Sequence, residues 1–223
     1  MTDSRPKTIL LASGSPRRRE LLALAGLPFE VTKAEIDETP RPGESAAAYT
    51  VRLSQEKART VLVSAPDHAL VLAADTTVAD GDLILGKPAD PGEARAMLRR
   101  LRGRTHQVYT ALTLIDTATG HTVTEVAATD VPMRDYSDDE IEAYIASGDP
   151  FDKAGAYAIQ HAGFHPVAAL HGCYSNVMGL PLCHLVRALR AFGVGPGADV
   201  ALRCQQHQGY DCDVTDDILA GAL

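Results

Sequence analysis

Arg17, Arg18 and Arg19 follow the turn Ser13-Gly14-Ser15-Pro16, which itself follows the apolar run Ile9-Leu10-Leu11-Ala12. Gly14 permits a sharp turn, Ser15 suits a helix N-cap, and Pro16 suits the first helical position. Three cations in a first helical turn oppose the helix dipole, each by about a few tenths of a kcal/mol at an exposed site, unless an anion offsets them. A strand, a Gly/Ser turn, a helix N-terminus and fixed cations together form a phosphate cradle; the plain alternative is an exposed basic helix start. Other charged residues stand where structure could aim them. Asp75 closes the apolar run Ala69–Ala74, Glu38 follows a second predicted strand, and Lys87 sits in the rigid turn Gly86-Lys87-Pro88. Each has a bland reading as well. Asp75 could form a turn and Glu38 could be a solvated loop residue. Lys57, among the charges of a helix, could be part of a wet face, and Asp152 and Lys153 could continue a charged cleft or simply pair with each other. Whether desolvation raises the Asp75 carboxyl or neighbouring cations hold it down stays open at this level.

The elements that must position these groups follow from periodicity. Thr8–Ala12 reads as a buried strand, and Leu21, Leu22 and Ala25 give the first helix its apolar stripe before Gly26 stops it. Residues 29–36 read as a strand, and 45–64 as a helix with Tyr49, Leu53, Ala58 and Val61 on one face. Ala69–Ala74 is the continuous apolar run of a strand covered on both faces, expected to end at Asp75. Asp80-Gly81-Asp82 predicts a hairpin to Leu83–Leu85. Capping boxes at Asp90–Glu93 and Ser137–Glu140 open two further helices, and between them lie Thr/Val-rich strands at 107–116 and 122–133. Residues 149–160 read as a loop leading to a short strand, with another strand at 167–170 and a late helix at 180–192. The fold class is therefore α/β, with a mixed, elongated central sheet flanked by helices and two lobes around a cleft. One domain is expected over residues 1–193, and the Gly/Asp/Gln-rich stretch 194–223 reads as a poorly ordered tail with a short helix near Ile218.

Composition narrows the partners. The chain has 223 residues, is 45% hydrophobic and 22% charged, and carries a net charge of −8, so long nucleic acid is not expected to bind. Cys173, Cys183, Cys204 and Cys212 form no C-x-x-C pair, and the eight histidines show no metal-ligand spacing. This usage fits reduced thiols and a cytoplasmic location. Glu20 interrupts the only stretch that imitates a signal sequence, and no segment is long enough to span a membrane. Oligomeric state is open, a homodimer included.

Seven segments, in order and spacing, resemble the Maf family of nucleoside triphosphate pyrophosphatases, similar in fold to inosine triphosphate pyrophosphatases. They are Leu11-Ala12-Ser13-Gly14-Ser15-Pro16-Arg17-Arg18, Ile36-Asp37-Glu38, Glu56-Lys57-Ala58, Ala74-Asp75-Thr76, Gly86-Lys87-Pro88, Asp152–Tyr157 with Gln160, and Val177–Leu182. The resemblance runs from about Ile9 to Phe192, and it departs from the family pattern at His161–Pro166. It implies hydrolysis between the α and β phosphates to a nucleoside monophosphate and pyrophosphate. Asp75 would be the base that activates water, and Glu38 with Asp75 would hold Mg²⁺ or Mn²⁺. Ser13, Arg17, Arg18, Lys57 and Lys87 would bind substrate, with Arg19 left at the surface.

Within the family, the residues matching Arg17, Thr76 and Gln160 distinguish branches. The combination here resembles the branch acting on dTTP and UTP, not that acting on 7-methyl-GTP, and 5-substituted uridine nucleotides would fit as well. An amide at Gln160 offers a donor and an acceptor to N3–H and O4 of uracil or thymine; flipped, it would meet cytosine instead. Other readings are a nucleotide-binding regulator of cell division or septum formation that does not turn over, and a phosphosugar enzyme using the same cradle.

Overall fold

The computed structural model describes residues 7–222, so the outermost residues of the two expected segments, 1–6 and 223, lie outside the described residues. Its elements run β1 (Ile9–Ala12), α1 (Pro16–Ala23), β2 (Phe29–Thr32), α2 (Ala46–Leu62), β3 (Leu70–Asp80), β4 (Leu83–Leu85), α3 (Pro91–Leu101), β5 (Thr105–Asp116), β6 (Thr122–Pro132), α4 (Asp138–Ala146), α5 (Tyr174–Met178), α6 (Leu182–Arg190), α7 (Val200–Gln208) and α8 (Thr215–Ala220). The sheet order is β2-β1-β3-β5-β6, with β4 paired to β3. β1 is parallel to β2 and β3, whereas β3, β5 and β6 are antiparallel, so the sheet is mixed as expected.

The three long strands carry the architecture. At about 3.3 Å per residue each spans more than one core thickness. At one end of β3, Leu70, Leu72 and Ala74 pack with α1, α5 and α6 through Leu21, Leu22, Met178 and Leu185. The alternate residues Val71 and Ala73 face Ala58 and Val61 of α2. At the other end Val78, Val108 and Val131 join Leu98 and Leu101 of α3 and Ile141 and Tyr144 of α4. Asp75, Thr76 and Thr77 occupy the interval between these cores.

Several expectations are corrected. β3 does not stop at Asp75 but continues to Asp80, with Thr76↔Thr110 and Val78↔Val108 in register with β5. Threonine is β-branched and pairs well on a pleated surface, so the polar residues that look like a strand end are strand interior. β2 ends at Thr32, short of the expected Ile36. The capping box of α4 forms in full, while at α3 Asp90 accepts from Glu93 N at 2.9 Å and Glu93 reaches Ala89 N instead, at 2.7 Å. Among the described residues, no strand forms after Gln160. At the expected 167–170 strand, pairing among the described residues is a single bridge, Met133↔Val167, and Pro166 has no N–H with which to extend it. The segment after Phe192 holds α8, the short helix expected near Ile218, and also α7, which the low hydrophobicity of that stretch did not suggest. Asp199 caps α7, Val200 enters the first core, and Arg187 and Arg190 of α6 each donate to a carbonyl near the end of α8 at 3.1 Å.

Candidate active site

The gap between the two cores opens into a cleft of about 470 Å³, within the range that holds a nucleotide. Strand alternation explains its chemistry. Asp75 points to the α2 side, in step with Ala73, while Thr76 points to the α1 side, in step with Ala74. On the α2 side, Tyr49, Leu53 and Lys57 recur every four residues and line the cleft together. Lys57 Nζ stands 2.7 Å from Asp75 Oδ1 and 2.7 Å from Glu38 Oε1, so one ammonium bridges two carboxylates. The Lys57 and Asp75 side chains are 12% and 9% exposed, Glu38 52%. Partial burial alone would push the Glu38 carboxyl up, but the Lys57 hydrogen bond and charge, with Lys87 and Arg18 further off, hold it below the usual carboxylate range. The loop that carries Glu38 is clamped from α2: Tyr49 OH donates to the Glu38 carbonyl at 2.7 Å, and Arg52 donates to the Thr39 carbonyl and both oxygens of Glu44. Burial, then the nearby Asp75 and Glu38 charges, push the Tyr49 phenol up to about 12, so it stays a donor.

On the α1 side the predicted turn is present. Ser15 caps α1 by accepting from Arg18 N, and Pro16 opens the helix. Arg18 is partly buried; its Nε donates to the Gly179 carbonyl at 2.8 Å, Nη2 to Thr76 Oγ1 at 3.0 Å and Nη1 to Ser13 Oγ at 3.4 Å. Desolvation pulls its pKa down, against the Asp75 charge that supports it. Gly179 is demanded by both backbone and space: its φ is +109°, and a Cβ there would lie 3.1 Å from Thr76 Oγ1. Thr76 is tied at 3.0 Å to Thr110, which donates to the Asn176 carbonyl at 2.9 Å. Arg17 meets Asp152 at 3.1 Å, and Asp152 also holds Lys153 at 2.6 Å. Thus Asp152 and Lys153 both pair with each other and line the cleft, so the two readings of them coexist.

The structure therefore brings Arg17, Arg18, Glu38, Lys57, Asp75, Thr76, Lys87 and Gln160 to one cleft. Ser13 is placed differently: it is buried behind Arg18, and Ser15 takes the lining position. Arg19 is exposed, as expected. Lys87 makes no ion pair or hydrogen bond among the described residues, which leaves its charge available to a ligand. Gln160 is exposed at the cleft, and no hydrogen bond among the described residues fixes which edge of its amide faces inward. Sequence reasoning missed Tyr49, Arg52 and Thr110 as parts of the site. The four-residue recurrence of Tyr49, Leu53 and Lys57 is the available signal for the first, and in the sequence it reads as a core face with a wet lysine beside it.

The sequence was also compared with known proteins. The family described as Maf-like protein matches residues 8–192. A Myxococcus xanthus protein named dTTP/UTP pyrophosphatase is 53% identical over 186 residues, covering 83% of this chain and 93% of that protein. A Syntrophus aciditrophicus protein of the same name is 47% identical over 185 residues, covering 83% of this chain and 90% of that one. Among solved structures, a Mycobacterium abscessus nucleoside-triphosphatase / dITP/XTP pyrophosphatase superposes with a TM-score of 0.41 at 17% identity, over 83% of this chain and 94% of the other.

Proposed function

The chain belongs to the Maf family, and from that premise we propose that its cleft hydrolyses dTTP and UTP to the monophosphate and pyrophosphate, with Asp75 as the general base. The observation that carries the reading is the pairing of a buried carboxylate, Asp75, with four cations, Arg17, Arg18, Lys57 and Lys87, that line the same cavity of nucleotide size. A triphosphate repels an attacking oxygen until its charge is neutralised, and fixed cations in a partly dry cleft do this without reorganising during the reaction. Arg18 is held from three directions, so its guanidinium is oriented before substrate arrives. Lys87 adds a cation with no ion-pair partner among the described residues. Asp75 Oδ1 is committed to Lys57, while Oδ2 has only a 3.5 Å contact with Thr77, so Oδ2 is the oxygen placed to take the proton of water.

The donor set also fits a divalent ion. Glu38 and Asp75 are both hard donors suited to Mg²⁺ or Mn²⁺, and Glu38 keeps an oxygen that Lys57 does not occupy. Among the described residues no cluster of three or more His, Cys, Asp or Glu forms a closed cage, which matches the habit of Mg²⁺ of taking one or two carboxylates and completing its shell with phosphates and water. When bound, the ion would neutralise phosphate charge beside the reacting phosphorus. Thr76, small and fixed by Thr110, leaves room for a pyrimidine and its 5-substituent, and Gln160 supplies the edge that reads N3–H and O4. Modified uridine triphosphates fall within the same substrate range. No helix among the described residues is long and apolar enough to cross a membrane, and the proposal places the enzyme with the nucleotide pools of the cytoplasm.

The test is a panel of nucleoside triphosphates with Mg²⁺ or Mn²⁺ in heavy-oxygen water. Pyrophosphate release from dTTP and UTP, with the label in the monophosphate, supports the reading. Release of inorganic phosphate instead, or tight binding with no turnover, refutes it.

A further inference from the structure

The four cysteines of the chain, far apart in sequence and all in the reduced state, line one small apolar pocket away from the nucleotide cleft. Cys173 precedes α5 and Cys183 lies on α6, both within the family-matched region; Cys204 on α7 and Cys212 beyond it belong to the C-terminal segment outside that match. Among the described residues these sulfurs form no group able to hold a metal ion. What the structure does provide is a close seam between the two parts of the chain. Tyr210 OH donates to the Leu170 and Gly172 carbonyls, each at 3.1 Å, and Gly172 N donates to Asp213 Oδ1 at 3.1 Å. Between these ties, Cys212 Sγ lies 3.9 Å from the Gly172 carbonyl, next to Cys173.

We propose that Cys173 and Cys212 are an oxidation site at which a peroxide forms a disulfide tying the C-terminal segment to the nucleotide domain. This inference is independent of the assigned activity. Cys212 is partly exposed, while burial pushes the Cys173 thiol up to about 11 and the Cys183 thiol up to about 12. The accessible thiol therefore meets the oxidant first; the buried Cys173, kept protonated, is spared by peroxide and acts only on the sulfenic acid once that has formed. Cys212 sulfur attacks a peroxide oxygen; an S–O bond forms, the O–O bond breaks, and hydroxide leaves and is protonated to water. Cys173 sulfur then attacks the sulfenic sulfur; the S–S bond forms, the S–O bond breaks, and a second water leaves. Two thiols lose two electrons and two protons, and one hydrogen peroxide becomes two waters. The strapping bonds hold the loop of Cys212 against residues 170–172, immediately before Cys173 in the chain.

The experiment treats the folded full-length chain with hydrogen peroxide near neutral pH, alkylates the remaining thiols and maps peptides without reduction. The expected result is a peptide cross-linked between Cys173 and Cys212, reversed by a thiol reductant, with alkylatable thiols falling from four to two. Cys212→Ser should abolish the cross-link while keeping the parent's circular dichroism and urea unfolding as evidence of folding; Cys204→Ser should retain the cross-link. Limited proteolysis should cut within α7 and α8 more slowly in the oxidised chain. Four thiols still alkylated, sulfinic acid on Cys212 without a bridge, a bridge between any other pair, or unchanged proteolysis would overturn the proposal.

Discussion

Mild acid should destabilise this protein through two buried histidines before its carboxylates titrate. His106 on β5 is fully buried, its Nε2 is paired with Tyr157 OH at 2.8 Å, and its Nδ1 has no partner. His184 on α6 is 4% exposed and its Nδ1 is likewise unpartnered. A charged ring would bury an N–H with no acceptor, and burial accordingly pulls both imidazoles down to about 4. Asp80 and Asp130 near His106, and Glu125 near His184, oppose that shift without cancelling it, while Arg187 adds to it at His184. Because the folded pKa lies below the unfolded one, the unfolded chain binds more protons between them. The stabilisation is thus complete above about pH 6.5 and is lost as pH falls toward the folded value. From about pH 7.5 to about pH 5 each ring should cost about 2 kcal/mol, or about 4 kcal/mol together. Glu38 and Asp152, whose carboxyls are held low, act in the same direction but only below the ordinary carboxylate range. Urea unfolding at the two pH values measures the difference, and His106→Gln or His184→Gln should each remove about half of it, whatever the variant does to absolute stability. A loss below about 1 kcal/mol in the parent, or an undiminished loss in both variants, would refute the reasoning.

Arg17→Ala and Lys87→Ala should each weaken triphosphate binding by roughly tenfold or more, with a smaller deficit at high salt because the lost attraction is electrostatic; titration calorimetry at two ionic strengths reads this. Unfolding without an affinity change would mark either residue as structural. Gly179→Ala should raise the KM for nucleotide and lower stability by about 1–3 kcal/mol, since the new Cβ meets Thr76 and a positive φ is strained; parent-like values in both assays would contradict the role given to its carbonyl. Gln160→Ala should reduce the preference for dTTP and UTP over GTP and ATP by roughly ten- to hundredfold in kcat/KM, the effect of leaving a base edge unpaired. An unchanged ratio would remove Gln160 from base reading.

Legibility in the sequence followed the range of the interactions involved. The cradle was readable because its parts are adjacent: Ser15 and Pro16 set the start of α1 by local capping, and the arginines follow at once. The apolar run of β3 was readable, but its true end was not, because Thr76 and Thr77 belong to the strand through pairing with β5, some thirty positions away. The same distance hid the support of the site. Arg18 is oriented by Gly179, and Thr76 by Thr110 and through it by the chain at Asn176; no local pattern links these residues. The Lys57 bridge between Glu38 and Asp75 joins three segments, and only the folded chain shows that a lysine with the look of a wet helix face is nearly buried. The order of the C-terminal segment rests on Val200, Ile218 and the α6 arginines, too few contacts to register as a hydrophobic pattern.

The central claim, that Asp75 takes the proton of the attacking water, is met most directly by Asp75→Asn. The substitution keeps the size and one acceptor for Lys57, so fold and nucleotide affinity can be measured on the same sample by circular dichroism and dTTP titration with Mg²⁺. The account predicts binding within about tenfold of the parent and single-turnover hydrolysis lower by roughly a hundredfold or more. Hydrolysis near the parent rate by a folded, nucleotide-binding Asp75→Asn protein would contradict it.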